Sequence, residues 1–367
     1  RSIGSAPVTT EQSPDRISQR VRIGVDARKL LDDRRGIGRY VRALLRSWMT
    51  RWPDRVALTL LVPDLLPSLV ASRLASELGA RLPVARTGAR SFDVTWYPWN
   101  GMTWVARGIK IATVHDCWPF ASPATDESIL RNEQRPFLTT AANADTIIAD
   151  SVFGKAEIIR HLAYDPARIE VIPLGISAAE RPRQVDEHDP YVLFVGQAEK
   201  RKDLGTLMNA MAALPEALRT RLRLIVAGKD QPGTFGPPPP GTRVEFAGEV
   251  SDRRLEQLYA GASAFVFPSR YEGFGLPILE AMSAGVPVVA SDAASVPEVA
   301  GDAALYFPAG DALALATAIQ LVLEDATLAD RLRAAGRARA AALTWDRCAD
   351  ATLRVFERIQ NAKSPTR

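Results

Sequence analysis

The sequence predicts an α/β protein of two domains, on three observations. Short β-rich runs alternate with helical stretches along the whole chain. Several of those runs are apolar almost throughout, as expected of parallel strands buried on both faces. A polar, charged, proline-bearing segment at 177–190 divides the runs into two sets, and such a composition reads as a linker. Alternation of this kind builds sheets with helices on their faces, and 367 residues is long for a single core.

The first set of runs is 21–26, 56–62, 92–97, 110–115, 145–149 and 168–173; the second is 191–196, 222–227, 243–248, 264–268, 286–291 and 303–307. The expected organisation is a lead-in over 1–20, a first domain over 21–176, the linker, a second domain over 191–344 and a last helix over 345–362. The lead-in is polar and has no apolar stretch of signal-peptide type. Thr344 is a suitable N-cap for the last helix.

Composition narrows the function classes. Apolar residues make up 47% and charged residues 24%, ordinary for a soluble globular protein. No segment approaches ~20 uninterrupted apolar residues, so no transmembrane helix is expected. Cys117 and Cys348 lie far apart, which suggests neither a disulfide framework nor a zinc site and fits a reducing cytoplasm. The formal charge of +4 is too small to indicate a nucleic-acid partner. His115, His161 and His188 are widely separated, and no Asp-x-Asp pair follows a strand in the second half, so no metal is expected.

Ligands of open α/β sheets bind at the carboxyl ends of strands, and the polar residues of interest fall there. His115-Asp116 ends one run; Gly196, Gly228 and Val250 follow the ends of three others. After the run 264–268 comes Glu272-Gly-Phe-Gly-Leu-Pro-Ile-Leu-Glu280, two carboxylates eight positions apart around a glycine-rich turn. Pro277 suits the first position of a helix, placing Glu272 in the loop and Glu280 in the first helical turn. Gly273, Phe274, Gly275 and Leu276 would then offer backbone amides at a helix N-terminus, which favours negative charge. Carboxylates that hold hydroxyls, beside an anion-binding helix end, suit a ligand that is part sugar and part phosphate. Arg201-Lys202, after the first strand of the second set, could cancel the charge of a diphosphate.

Gly36-Ile-Gly38 is not a dinucleotide fingerprint. Val41 stands where the third glycine belongs, and Asp32-Asp33 would repel a pyrophosphate. The following helix carries Arg39, Arg42 and Arg46 at spacings of three and four, a one-faced basic stripe. The stripe is either a solvated face or one that rests on anionic lipid headgroups, where each cation contributes ~1 kcal/mol. Trp96, Tyr97, Trp99 and Trp118 cluster after first-domain strands, where aromatic faces could stack on acceptor sugars while some of them fill the core.

The spacing of Glu272 and Glu280 resembles the E-x7-E signature of the family 4 retaining glycosyltransferases, and the resemblance runs over nearly the whole chain. Gly36-Ile-Gly-Arg-Tyr40 is similar to that family's N-terminal glycine loop, and Val114-His-Asp116 to its cleft histidine. Ile172-Pro-Leu-Gly-Ile176 is similar to the strand ending its first domain, and Phe194-Val-Gly196 with Arg201-Lys202 to its diphosphate-binding segment. Ser295-Val-Pro-Glu298 matches the stretch after the E-x7-E helix. Gln197 departs from the pattern, since many members carry arginine there; Lys202 is therefore the stronger phosphate ligand and Arg201 a candidate.

The resemblance implies a GT-B fold, two Rossmann-like domains facing across a cleft, and a retaining, metal-independent hexosyltransferase without a cofactor. Its donor would be a nucleotide-diphospho sugar, GDP-mannose first and UDP-glucose next, and its acceptor a lipid-linked oligosaccharide of bacterial polysaccharide assembly. By the same resemblance Gly36 and Gly38 approach the donor, His115 touches its sugar or shapes the reaction centre, Glu272 holds a sugar hydroxyl and Glu280 the ribose. The last helix would cross back to the first domain, and the enzyme would work in the cytoplasm, at the inner face of the membrane if the arginine stripe binds lipid. Two other readings of the fold remain: a non-catalytic sugar-nucleotide-binding or membrane-associated scaffold, and a nucleotide-sugar 2-epimerase, which should lack the E-x7-E block.

Overall fold

The computed structural model describes residues 20–33, 36–63, 67–88, 90–178, 184–186, 189–197, 199–229 and 237–363. The lead-in apart from Arg20, together with Arg34, Arg35, His188 and half of the 177–190 linker, lies outside the described residues.

The first sheet is formed by β1 (Val21–Asp26), β2 (Val56–Val62), β3 (Val84–Arg86), β4 (Val94–Tyr97), β5 (Ile109–Val114), β6 (Thr146–Ala149) and β7 (Ile169–Val171). All its pairings are parallel, in the order β3-β2-β1-β4-β5-β6-β7. The second sheet comprises β8 (Tyr191–Val195), β9 (Arg223–Ala227), β10 (Arg243–Gly248), β11 (Ala264–Phe267), β12 (Val288–Ser291) and β13 (Ala304–Phe307). It too is parallel, ordered β10-β9-β8-β11-β12-β13. β4, β6, β11 and β12 are buried at every position, which is why they are legible as apolar runs. The strand the apolar runs do not announce is β3, a half-buried three-residue edge strand of sequence Val-Ala-Arg.

In both sheets the strand order reverses beside the first strand, between β1 and β4 and between β8 and β11. A crevice opens at such a switch point, outside the carboxyl ends of the strands. The first is flanked by the segments after Asp26 and Tyr97. The second is flanked by Gly196–Lys202 on one side and Ser269–Gly275 on the other.

The last helix, Trp345–Lys363, follows the second domain in sequence but packs on the first. Trp48 Nε1, on the helix Ile37–Arg51, donates to the Ala349 carbonyl at 2.9 Å, and Arg55 pairs with Asp350 and Glu357. Phe356 is fully buried against Trp48 and Trp96. Arg347 N donates to Thr344 Oγ1 at 3.3 Å, so Thr344 does cap this helix. The two chain crossings between domains lie side by side, where Ile176 N donates to Leu343 O at 2.9 Å. Among the described residues no single helix is long and apolar enough to cross a membrane.

Candidate active site

The second-domain switch point brings the E-x7-E loop onto the cations after β8. Glu272 is buried and forms ion pairs with Lys202 and, at 3.3 Å, with Arg201. Lys202 closes a short 3-10 turn, Lys200–Lys202, and is itself buried, its ammonium 5.3 Å from the Phe267 ring. It is therefore no residue of a solvated polar loop. Arg201 also meets Glu199 at 2.6 Å and lies 5.9 Å from the Trp118 ring. Burial pulls its pKa down, but Glu272 and Glu199 outweigh that and the net direction is up.

The Glu272 loop is held from both domains. Ser295 Oγ lies 2.9 Å from Glu272 O and 3.0 Å from Phe274 O. From the first domain, Ser151 Oγ donates to Gly273 O at 2.7 Å. Tyr271 OH accepts from Cys117 N at 3.2 Å and donates to Glu157 at 3.0 Å. Glu298 accepts from Val152 N at 2.8 Å, capping the first-domain helix Val152–Leu162 with a second-domain carboxylate. A Cβ on Gly273 would lie 1.6 Å from the His115 carbonyl oxygen, so only glycine lets the two backbones meet there.

Glu280 sits one turn further along than sequence implies. The helix runs Leu276–Ser283 with proline in its first two positions and no acidic residue in its first turn. One carboxylate oxygen of Glu280 pairs with Arg39, from the first domain; the other accepts from Tyr259 OH at 2.7 Å. Burial and the Glu280 charge hold the Tyr259 phenol well above its ordinary pKa. A cleft of about 770 Å³ opens here, lined among others by Arg39, Arg46, Tyr259 and Glu280.

His115 follows β5, one strand along from the first-domain switch point, with both ring nitrogens engaged: Nδ1 is 2.6 Å from Asp150 and Nε2 is 3.0 Å from Pro98 O. Burial pushes its pKa down, but the Asp150 carboxylate outweighs that and the net direction is up. The ring is held in place by its own domain.

Several expectations are overturned. Trp96 and Tyr97 are completely buried and Trp99 is 3% exposed, so none of them can stack on an acceptor. Their polar atoms are used inside: Trp96 Nε1 donates to Thr113, Trp99 Nε1 to Asp26 O, and Tyr97 OH accepts from Ala106 N. Trp118 is the member of that set that remains partly exposed, 5.3 Å from Tyr271. The three arginines of the stripe do not form one exposed face. Arg42 is 7% exposed and donates to the carbonyls of Leu30 and Asp33 while pairing with Glu77. Arg39 reaches the second domain, and exposed Arg46 lines the same cleft. An arginine row on one face reads the same whether that face meets water, lipid or another domain; tertiary packing decides.

Gly36, with φ of 54°, caps the helix Ile37–Arg51 and keeps open space around it. Gly38 has a packing reason instead, since a Cβ there would lie 1.8 Å from Asp33 O. Gly228 likewise brings two loops together, its Cβ position being 2.0 Å from Gly196 O. Phe274 is buried in the core, and Leu276 and Val250, half-buried, pack against that core. Asp150, Ser151, Tyr259, Tyr271 and Ser295 were missed. Asp150 and Ser151 follow the end of β6, so strand-end logic would have found them. A lone tyrosine in the last turn of the helix Asp252–Gly261 carries no such signal.

Residues 34–180 match the family described as Glycosyltransferase Family 4, and residues 177–339 match Glycosyl transferases group 1. The chain is 35% identical over 265 residues to the O-antigen chain mannosyltransferase B of Escherichia coli, covering 67% of this chain and 70% of that protein. Among solved structures it is similar to sucrose-phosphate synthase of Thermosynechococcus elongatus, with a TM-score of 0.68, 22% identity, and 94% and 100% of the two chains covered. It is also similar to HepE of Anabaena in complex with UDP and glucose, with a TM-score of 0.68, 17% identity, and 92% and 100% covered. The fold is GT-B, and the chain belongs to the family 4 glycosyltransferases, as a hexosyltransferase.

Proposed function

We propose that the enzyme transfers a hexose, with retention of anomeric configuration, from a nucleotide-diphospho sugar to a lipid-linked oligosaccharide. Mannose from GDP-mannose is the first donor and glucose from UDP-glucose the next. The observation that carries this reading is the meeting of Lys202 and Arg201 with Glu272 at a switch point, with Glu280 on the following helix. A diphosphate arriving at the two cations frees Glu272 to accept a sugar hydroxyl, while Glu280 accepts from the ribose. Helix Leu276–Ser283 points its positive end toward the same place. The mannosyl donor and the polysaccharide acceptor are supported by the name of the Escherichia coli relative.

Cleavage of the anomeric C–O bond leaves negative charge on the departing phosphate, which Lys202 and Arg201 neutralise in place of a metal ion. The acceptor oxygen bonds to the same face of the sugar, and its proton passes to that phosphate oxygen. His115 has both ring nitrogens engaged, by Asp150 and the Pro98 carbonyl, and Glu272 is assigned to a sugar hydroxyl, which supports the phosphate rather than a side chain as the base. Among the described residues no group of three His, Cys, Asp or Glu side chains could hold a metal.

Donor choice is tested by incubating the enzyme with GDP-mannose or UDP-glucose, with and without a lipid-linked glycan, and with EDTA. Sugar release or transfer from GDP-mannose that survives EDTA is expected. Turnover of neither donor, an epimerised sugar, or activity restored only by added magnesium or manganese would each refute the proposal.

A further inference from the structure

Arg39 and Glu280 belong to different domains. Arg39 is fixed to the first: its helix, Ile37–Arg51, packs on the last helix through the Trp48 bond to Ala349. Glu280 is fixed to the second, on the helix Leu276–Ser283. Yet the guanidinium pairs with Glu280, and its other terminal nitrogen lies 3.9 Å from Asp252, also of the second domain. The Arg39 side chain is 31% exposed and that of Glu280 12%, so the pair is largely withdrawn from solvent at the wall of the cleft.

The remaining capacity of Glu280 matters. A carboxylate offers about four acceptor positions. Arg39 takes one on one oxygen and Tyr259 one on the other, which leaves one on each for a vicinal diol. Arg39 and a ribose can therefore occupy Glu280 together. Should the domains part, Arg39 leaves with its own helix, and Tyr259 alone stays to orient the carboxylate.

We propose that Arg39 is a positioning residue for donor binding, presenting Glu280 to the ribose from across the cleft, so that domain closure and nucleotide binding reinforce each other. The inference rests on the reading of Glu280 as the ribose carboxylate. Reinforcement is reciprocal: whatever factor closure adds to nucleotide affinity, bound nucleotide adds to closure. Lysine cannot replace arginine here, because a point charge lacks the fork that meets Glu280 and Asp252 at once.

The test titrates GDP and UDP separately by calorimetry into the parent enzyme, Arg39→Ala, Arg39→Lys, Glu280→Gln and the double variant Arg39→Ala/Glu280→Gln. Circular dichroism checks folding, and small-angle scattering with and without nucleotide reads closure. Arg39→Ala is expected to weaken the nucleotide about tenfold, with Arg39→Lys recovering only part of that. It should also remove the compaction nucleotide causes, and raise the donor KM more than it lowers kcat. The double variant should bind no more weakly than Glu280→Gln alone. Unchanged or tighter binding by Arg39→Ala overturns the proposal, as do losses that add in full. Unchanged affinity in Glu280→Gln overturns the ribose assignment itself, a result read on that variant alone; binding of neither nucleotide by the parent overturns the donor reading and this inference with it.

Discussion

Glu272 and Glu280 are eight residues apart and chemically identical, but they are neutralised from different places. Glu272 meets Lys202 and Arg201, both from its own domain and its own switch point. Glu280 meets Tyr259 from its own domain and Arg39 from the other. The Lys202–Glu272 pair is prearranged by one sheet, because β8 and β11 are hydrogen-bonded neighbours. The Glu280 site is completed by a cross-domain contact, so its geometry depends on how the domains sit. One signature thus contains a carboxylate neutralised within its own domain, in a loop that Ser151 of the other domain braces, and a carboxylate neutralised across the cleft.

Breaking the within-domain pair has the largest expected effect. Lys202→Ala leaves Glu272 buried with Arg201 as its remaining cation, so the loss approaches, without reaching, the ~3–5 kcal/mol of a buried charge left wholly unpaired. A fall in the urea midpoint, partly restored by adding Glu272→Gln, checks this. A midpoint equal to that of the parent would mean that the ammonium contributes nothing to the folded state.

Asp26 shows what a buried carboxylate does without such a match. It is fully buried, and Arg28 Nε approaches to 3.1 Å without a well-aligned hydrogen bond. Burial raises its pKa from 3.8 to about 6, against the pull of Arg28. The folded state therefore holds the proton more tightly than the unfolded state. Stability from this group is greatest below pH ~4 and falls as pH rises to about 6, by about 3 kcal/mol in all. Asp26→Asn should gain on the parent by up to that amount between pH 4 and pH 7 in paired thermal melts. A stability difference that does not change with pH would show that Asp26 ionises freely.

The two glutamates themselves should fail differently. Glu280→Gln is expected to weaken both the free nucleoside diphosphate and the full donor by about 1.5–3 kcal/mol, the worth of a hydrogen bond to a charged group. Glu272→Gln should lower transfer by a similar amount without weakening the free nucleotide, because its contact with the ligand begins when sugar is present and its charge no longer competes with the diphosphate for Lys202 and Arg201. Titration with nucleotide and with donor, beside turnover rates, separates them. Equal loss of nucleotide affinity in both variants would erase the distinction.

The smallest effect belongs to Tyr259→Phe. Losing one hydrogen bond to Glu280 should weaken nucleotide by about 1–2 kcal/mol, less than Glu280→Gln. A loss as large as that of Glu280→Gln would make Tyr259, and not Arg39, the main support of the carboxylate.

By itself the sequence determined the two α/β domains, twelve of whose strands stand out as β-rich runs, several of them apolar almost throughout, and the loop that carries Glu272. Burial on both faces demands such runs, and a carboxylate between a strand and a proline-started helix has few places to go. The edge strand β3 escaped because a half-buried three-residue strand needs no such run. Tertiary structure alone decided which way side chains face when their neighbours come from far along the chain. It turned Trp96, Tyr97 and Trp99 inward: Trp96 against Phe356 of the last helix, far along the chain, Tyr97 against Trp104, and Trp99 onto the Asp26 carbonyl. It also turned Arg39, Arg42 and Arg46 toward a cleft, because the acids that meet the first two, Glu280 and Glu77, lie on elements no local pattern links to theirs. Periodicity reports which residues share a face; only the partner across that face says what the face is for.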